Sequence, residues 1–99
     1  MTRLLCRFDG DKVQLIRIRL RGAGNRGAQF YWTTLSSPGF DESKVIRFEL
    51  PLDGEWHKVV LPVGEHPLWR GQTITGIRLD PGSAANTEVE IEWIRGESR

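Results

Sequence analysis

Hydrophobic and polar residues alternate along several short stretches of this chain, and the alternation predicts its secondary structure. In the clearest stretch, isoleucine or leucine at positions 16, 18 and 20 alternates with arginine at 17, 19 and 21. A period of two places the two sets of side chains on opposite faces of a β-strand, so this stretch predicts a half-buried strand. Residues 45–50 and 88–95 alternate in the same way.

Turn-forming residues separate the strand-like stretches. Asp53-Gly54 precedes a run at 57–61, and Pro81 ends another at 74–80. Such residues are typical of the connections between short strands. The predicted strands are residues 13–21, 29–34, 45–50, 57–61, 74–80 and 88–95, with a further edge strand at 1–8. Without any stretch of helical period, this pattern predicts an all-β, antiparallel β-sandwich that forms a single domain over residues 1–99.

Composition narrows the functional classes. The chain has 99 residues, of which 38% are hydrophobic and 27% are charged, so it is composed like an ordinary folded domain. A formal net charge of +1 supplies no field that attracts nucleic acid or a membrane, and neither is expected as a partner. The start lacks the apolar run of a signal peptide. The location stays open between the cytoplasm and, for a piece of a longer secreted protein, the extracellular space.

Residues that usually carry catalysis or bind metals are not arranged for either task. A lone cysteine, Cys6, allows no internal disulfide, and its neighbours predict a half-buried structural thiol. His57 and His66 fall on different predicted elements without other ligands at zinc-site spacing. Glu90 and Glu92 lie about 6.5–7 Å apart on one strand face, so they cannot flank a glycosidic bond. The sequence predicts a protein that is not an enzyme and that needs no cofactor.

Four segments combine aromatic and turn residues in a recognisable order. They are Tyr31-Trp32-Thr33, Asp53-Gly54-Glu55-Trp56-His57, the run from Trp69-Arg70-Gly71 to Asp80-Pro81, and residues 89–94, VEIEWI. Together they resemble the galactose-binding-like jelly-roll domains of the carbohydrate-binding-module type. The resemblance implies a jelly-roll sandwich that binds a polysaccharide or oligosaccharide. It also implies a parent chain, since such domains are often attached to bacterial secreted glycan-degrading enzymes.

The chain departs from this family in two places. Little precedes Val13, where the family usually completes a first strand and a structural calcium site. Glu92 stands where the last strand of the family commonly carries an aspartate. A bound calcium is therefore not expected, and Glu92 would be the first ligand to consider if one existed.

The four tryptophans are the best candidates for a binding role, because sugar rings stack their C–H faces on flat aromatic surfaces. Trp93 lies in an alternating run and is predicted to belong to the core, as is Trp32 beside Phe30. Trp56 follows a turn, and either packs over an end of the sandwich or stacks on a ligand. Trp69 lies in a loop, where functional residues concentrate, but it could equally plug the sandwich end.

Arginines on the polar strand faces leave two interpretations open. Arg17, Arg19, Arg47 and Arg78 either form cross-strand ion pairs with nearby carboxylates or donate forked hydrogen bonds to a sugar. The predicted function is non-catalytic carbohydrate binding, and the alternative is a structural or protein-interaction sandwich without sugar affinity. The residues predicted to bind the ligand are Trp69, Arg70, Trp56, Tyr31, Arg78 and Arg47.

Overall fold

Two antiparallel sheets face each other in the computed structural model, which describes residues 2–23, 27–50, 53–80 and 88–98. The predicted all-β sandwich is therefore confirmed. The strands are β1 (Thr2–Asp9), β2 (Leu15–Ala23), β3 (Gly27–Thr34), β4 (Val45–Glu49), β5 (His57–Leu61), β6 (Thr73–Asp80) and β7 (Glu88–Glu97). Short 3₁₀ turns at Gly10–Lys12 and Val63–Glu65 follow β1 and β5. The described ranges contain no helix capable of crossing a membrane.

The strand order is β1-β6-β3-β4 in one sheet and β5-β2-β7 in the other, with every neighbouring pair antiparallel. The expected edge strand near the start is real and pairs with β6. Parts of the loop predicted at 22–27 belong to β2 and β3, and the loop predicted at 81–87 lies outside the described residues. The finer assignment to a jelly roll stays a prediction.

The core lies between the inner faces of the two sheets. The apolar positions of the alternating stretch, Ile16, Ile18 and Leu20, are buried as predicted. They pack with Phe30 and Trp32 of β3, which also confirms the predicted core position of that tryptophan. Burial of such a side chain stabilises the fold by about 1.5–3 kcal/mol.

Trp69 closes one end of this core. Its ring is 0% exposed, meets Trp32 edge-on with the ring centres 5.4 Å apart, and lies 5.7 Å from Phe8. Its Nε1–H donates to the carbonyl oxygens of Gly10 and Val13, at 3.0 and 2.8 Å. The prediction that Trp69 stacks on a ligand is wrong, because no face of the ring is open. The alternative, a plug at the sandwich end, is what the structure contains.

Two glycines let the chain approach Trp69 closely. A Cβ on Gly10 would lie 2.5 Å from the Trp69 carbonyl oxygen, so a larger residue would push the two segments apart. Gly71 has a φ of +71°, a conformation that side chains with a Cβ disfavour. Its N–H donates to Asp11 Oδ1 at 2.8 Å. The 3₁₀ turn after β1 and the loop before β6 are thereby tied together.

The connection between β3 and β4, residues 35–44, is held by a buried lysine. Lys44 is 1% exposed, and its Nζ donates to Ser37 Oγ at 2.7 Å and to Asp41 Oδ2 at 2.8 Å. These hydrogen bonds offset the free-energy cost of burying the charged ammonium group. Hydrogen bonds from Lys44 and Ser43 hold the pKa of Asp41 at about 2, below its ordinary value.

Replacing Trp69 should test its role as a plug. We expect Trp69→Ala to lower the free energy of unfolding by about 3–5 kcal/mol, because it opens a cavity in the core. Trp69→Phe keeps most of the ring but removes the indole N–H from the carbonyl oxygens of Gly10 and Val13, of which Gly10 O still accepts the Val13 N–H. It should cost about 1–3 kcal/mol. Leu68→Ala, at the exposed neighbour, should stay within about 0.5 kcal/mol of the parent. Urea denaturation measures all three, and a Trp69→Ala variant as stable as Leu68→Ala would contradict the plug.

Neutralising Asp41 should expose the cost of the buried lysine. We expect Asp41→Asn to lower Tm at pH 7, because Lys44 then lacks its carboxylate. Since the pKa of Asp41 is lower in the folded chain than in the unfolded one, its stabilisation is complete above about pH 4 and is lost as the pH falls to about 2. Calorimetry should therefore find that the difference in Tm shrinks over this window.

A double variant provides the control for this experiment. Asp41→Asn with Lys44→Met contains no uncompensated buried charge, so it should melt closer to the parent than Asp41→Asn alone. A Tm difference that stayed constant down to about pH 2 would rule out the Asp41 carboxylate as its source.

Candidate functional site

The outer face of the three-stranded sheet carries a row of arginines from β2. The alternation that buries Ile16, Ile18 and Leu20 directs the arginines between them outward, toward glutamates of β7. The pairs are Arg17–Glu97, Arg19–Glu92 and Arg21–Glu90, with N···O distances of 3.0, 2.8 and 3.2 Å. The ion-pair interpretation is thus confirmed for this face. Partly exposed pairs of this kind contribute little to stability, because solvent screens the charges.

A β-bulge in β7 brings Trp93 onto the same outer face. Opposite β2, the register passes from Leu20↔Ile91 to Arg19↔Trp93, so Glu92 is an extra residue in β7. Trp93 therefore lies beside the outward-facing Arg19 and is partly exposed. The prediction that Trp93 belongs to the core is wrong, because a bulge exchanges the two faces of the strand beyond it.

Trp56 lies on this face as well, just before β5. The guanidinium carbons of Arg19 and Arg21 lie 5.1 and 4.8 Å from its ring centre, and that of Arg95 lies 4.0 Å from the ring centre of Trp93. Both tryptophans are partly exposed. These five residues form a surface that we call the tryptophan–arginine face.

The turn before β5 fixes where Trp56 emerges. Asp53 Oδ1 accepts the Glu55 N–H at 3.0 Å and lies 2.8 Å from His57 Nε2. These two hydrogen bonds lower the pKa of Asp53. Gly54, with a φ of +84°, donates its N–H to the carbonyl oxygen of Gly22 in β2 at 3.0 Å. The turn is thereby attached to the same strand that supplies the arginines.

A cleft adjoins the tryptophan–arginine face at the ends of β2 and β7. Its volume is about 260 Å³, close to the lower end of the range for small-molecule sites. It is lined by Arg21, Gly22, Ala23, Gly54, Glu88, Val89 and Glu90. Since Arg21 belongs to both surfaces, a ligand on the face would lie next to this cleft.

Three of the predicted ligand-binding residues meet on the other side of the sandwich, on the outer face of the four-stranded sheet. Arg78 lies over the ring of Tyr31, with its guanidinium carbon 4.3 Å from the ring centre. The Tyr31 hydroxyl donates to Glu42 Oε1 at 2.9 Å, and Arg47 pairs with the same carboxylate. Burial, together with Glu42, raises the pKa of Tyr31, which is only 7% exposed.

Phe40, from the connection at 35–44, covers this face and is absent from the predicted set. The guanidinium carbons of Arg3 and Arg78 lie 5.3 and 5.2 Å from its ring centre. With Tyr31 next to Arg78, the face is occupied by a stack of its own side chains. The sequence gives no signal for this role, since Phe40 is a single aromatic residue in a polar connection.

The structure does not bring the six predicted residues into one site. Trp69 lies in the core, Arg70 is exposed in the loop beside it, Tyr31, Arg47 and Arg78 lie on the four-stranded sheet, and Trp56 lies on the three-stranded sheet. Trp56 is therefore the only one of them on the tryptophan–arginine face. The alternation in β2 predicted that Arg19 faces outward. It did not predict that Trp56 and Trp93 lie beside it, because strand pairing sets those neighbours.

The ionisable residues of the described ranges form no group of three or more His, Cys, Asp or Glu side chains suited to a metal ion. Glu92, the first residue to consider for calcium, pairs with Arg19. His66 accepts the Leu68 N–H through Nδ1 and packs edge-on against Trp32, and its burial lowers the pKa of the imidazole. His66 therefore has a structural role at the end of the core.

Comparison of the chain with protein-family models, with curated proteins and with solved structures finds no match.

Proposed function

We propose that this domain binds a glycan, without catalysis, on the tryptophan–arginine face. The observation that carries the proposal is the pair of partly exposed tryptophans on one sheet face, with an arginine row beside them. Indole rings offer apolar surface to the C–H faces of sugars, and guanidinium groups donate hydrogen bonds to hydroxyl or carboxylate oxygens.

The arginines keep donors for such a ligand while paired. Arg19 binds Glu92 through Nε, which leaves the four N–H groups of its two terminal nitrogens outside that hydrogen bond. Glu92 and Glu90 supply carboxylate oxygens as acceptors on the same face. The ion pairs also hold the guanidinium groups in place beside the rings, which reduces the entropy lost on binding.

The four-stranded sheet is a poorer surface for a sugar. Tyr31 and Phe40 are both in contact with the guanidinium group of Arg78, so a sugar would have to displace an existing stack. We therefore assign Tyr31, Arg78 and Arg47 to the support of this face rather than to the ligand.

The carboxylates of the proposed face support the non-catalytic part of the proposal. Glu90 and Glu92 lie on one strand, and each is already paired with an arginine. Both carboxylates therefore come from one side of the proposed ligand surface, whereas a glycosidase places its two carboxyl groups on either side of the scissile bond. This arrangement suits an accessory domain of a larger glycan-degrading enzyme.

Substitution of the two tryptophans tests the proposal. After a glycan array identifies a ligand, Trp56→Ala and Trp93→Ala should each weaken binding about 10-fold to 100-fold, the loss expected for a truncated hot-spot aromatic. Isothermal calorimetry measures the affinity, and circular dichroism checks that both variants fold. The ligand should also change the tryptophan fluorescence of the parent, and Trp56→Phe should reduce this change.

Two matched controls locate the site. Arg70→Ala changes an exposed arginine of the other loop and should leave the affinity unaltered, and so should Phe40→Ala on the four-stranded sheet. A loss of affinity in Phe40→Ala but not in Trp56→Ala would place the ligand on the opposite face. If no glycan in a broad panel binds with Kd below about 1 mM, the glycan proposal is wrong.

A further inference from the structure

Strand β1 is an edge of the four-stranded sheet. It pairs with β6 on one side, with a register shift between Leu5 and Phe8, and the described part of the chain places no strand on its other side. An unpaired strand edge can accept another strand through its backbone N–H and C=O groups. Two apolar residues at this edge are exposed, Leu4 by 47% and Leu5 by 90%. Exposed apolar side chains on an unpaired edge are suited to contact with another chain.

An apolar groove of about 290 Å³ runs along this edge, between β1 and the facing edge strand β7. Strand β1 contributes Leu4, Leu5, Cys6 and Phe8 to its lining, and three of these, Leu4, Cys6 and Phe8, are spaced two residues apart. The groove also contains Ile77 and Ile94, which belong to the two sheets. A strand added to β1 would therefore place alternate side chains over apolar surface.

We propose that the added strand is β1 of a second copy of this chain, aligned antiparallel with Cys6 opposite Cys6, so that the register shift of each copy lies next to the two-fold axis. In that register Leu4 lies opposite Phe8, so apolar residues of the groove meet. Arg3 lies opposite Asp9 at each end, which gives two ion pairs between the copies. Leu5 lies opposite Arg7, whose methylene groups can cover it. The sequence from 3 to 9 is thus complementary to its own reverse.

Charge selects this register over its neighbours. Centring the pair on Leu5 would set Arg3 opposite Arg7, and like charges directly opposite are destabilising. Centring it between Leu5 and Cys6 would set Leu4 opposite Arg7 and Arg3 opposite Phe8, so no ion pair would form. Pairing about Cys6 gives a two-fold contact with one continuous eight-stranded sheet, four strands from each copy.

Charge reversal tests the two ion pairs. Sedimentation velocity over roughly 1 µM to 1 mM should show a monomer–dimer equilibrium for the parent. Arg3→Asp should raise the dimer dissociation constant at least about 10-fold, because the introduced carboxylate would face Asp9 at both ends of the contact. The double variant Arg3→Asp with Asp9→Arg should restore dimerisation, since the charges are exchanged and not lost. Arg70→Asp, on an exposed loop residue, is the control and should dimerise like the parent.

Cysteine cross-linking tests the register without changing any charge. Treating the parent with copper phenanthroline should give a disulfide-linked dimer through Cys6. In a Cys6→Ser background, Leu4→Cys should not cross-link, because the two introduced thiols would lie four residues apart along the strands, about 13 Å. A disulfide requires Cα atoms within about 7 Å.

Each outcome decides the proposal. A chain that stays monomeric over the whole concentration range overturns it. If Arg3→Asp leaves the dimer dissociation constant unchanged, the dimer uses another surface. The same holds if the double variant Arg3→Asp with Asp9→Arg has a native circular dichroism spectrum but does not regain dimerisation. Equal cross-linking at positions 4 and 6 would exclude a fixed register. Since the glycan proposal depends on the other sheet, loss of the dimer leaves glycan affinity per domain unchanged.

Discussion

The buried indole of Trp69 is the contact on which the arrangement of this domain depends. Its single N–H is shared between the carbonyl oxygens of Gly10 and Val13, so one side chain joins the segment after β1 to the loop before β6. Its ring packs on Trp32, which belongs to the central part of the four-stranded sheet. Because Trp69 is fully buried, any aromatic binding surface has to come from other residues of the chain.

The alternation of side chains was sufficient to predict the strands but not the contacts at their ends. The stretch containing Ile16, Ile18 and Leu20 forms a strand with the predicted face buried, because its period of two matches the geometry of a strand. Trp69 could not be placed in this way. Its burial depends on two 3₁₀ turns and on close approaches at Gly10, which join positions about 60 residues apart and leave no local periodic signal.

The candidate site shows the same division between local and non-local information. The outward direction of Arg19 and Arg21 is a local property of β2, and the sequence reveals it. The pairing of β2 with β5 places both arginines next to Trp56. The pairing of β2 with β7 places Arg19 next to Glu92 and Arg21 next to Glu90. Phe40 is similar, since a connection without periodicity does not reveal which sheet face it crosses. Strand register, rather than residue type, was the missing information.

The extra residue at Glu92 has a consequence for how such a surface changes in evolution. Ile91 lies opposite Leu20 and Trp93 lies opposite Arg19, so these two residues face opposite sides of the sheet although they are two positions apart. Deletion of Glu92 would restore regular alternation with Ile91 inward and Trp93 outward, so the aromatic platform would persist while Arg19 lost its carboxylate partner. Among homologous sequences, a gap at this position would therefore be compatible with an outward-facing tryptophan, whereas a strand of unchanged length without the bulge would turn the same residue inward.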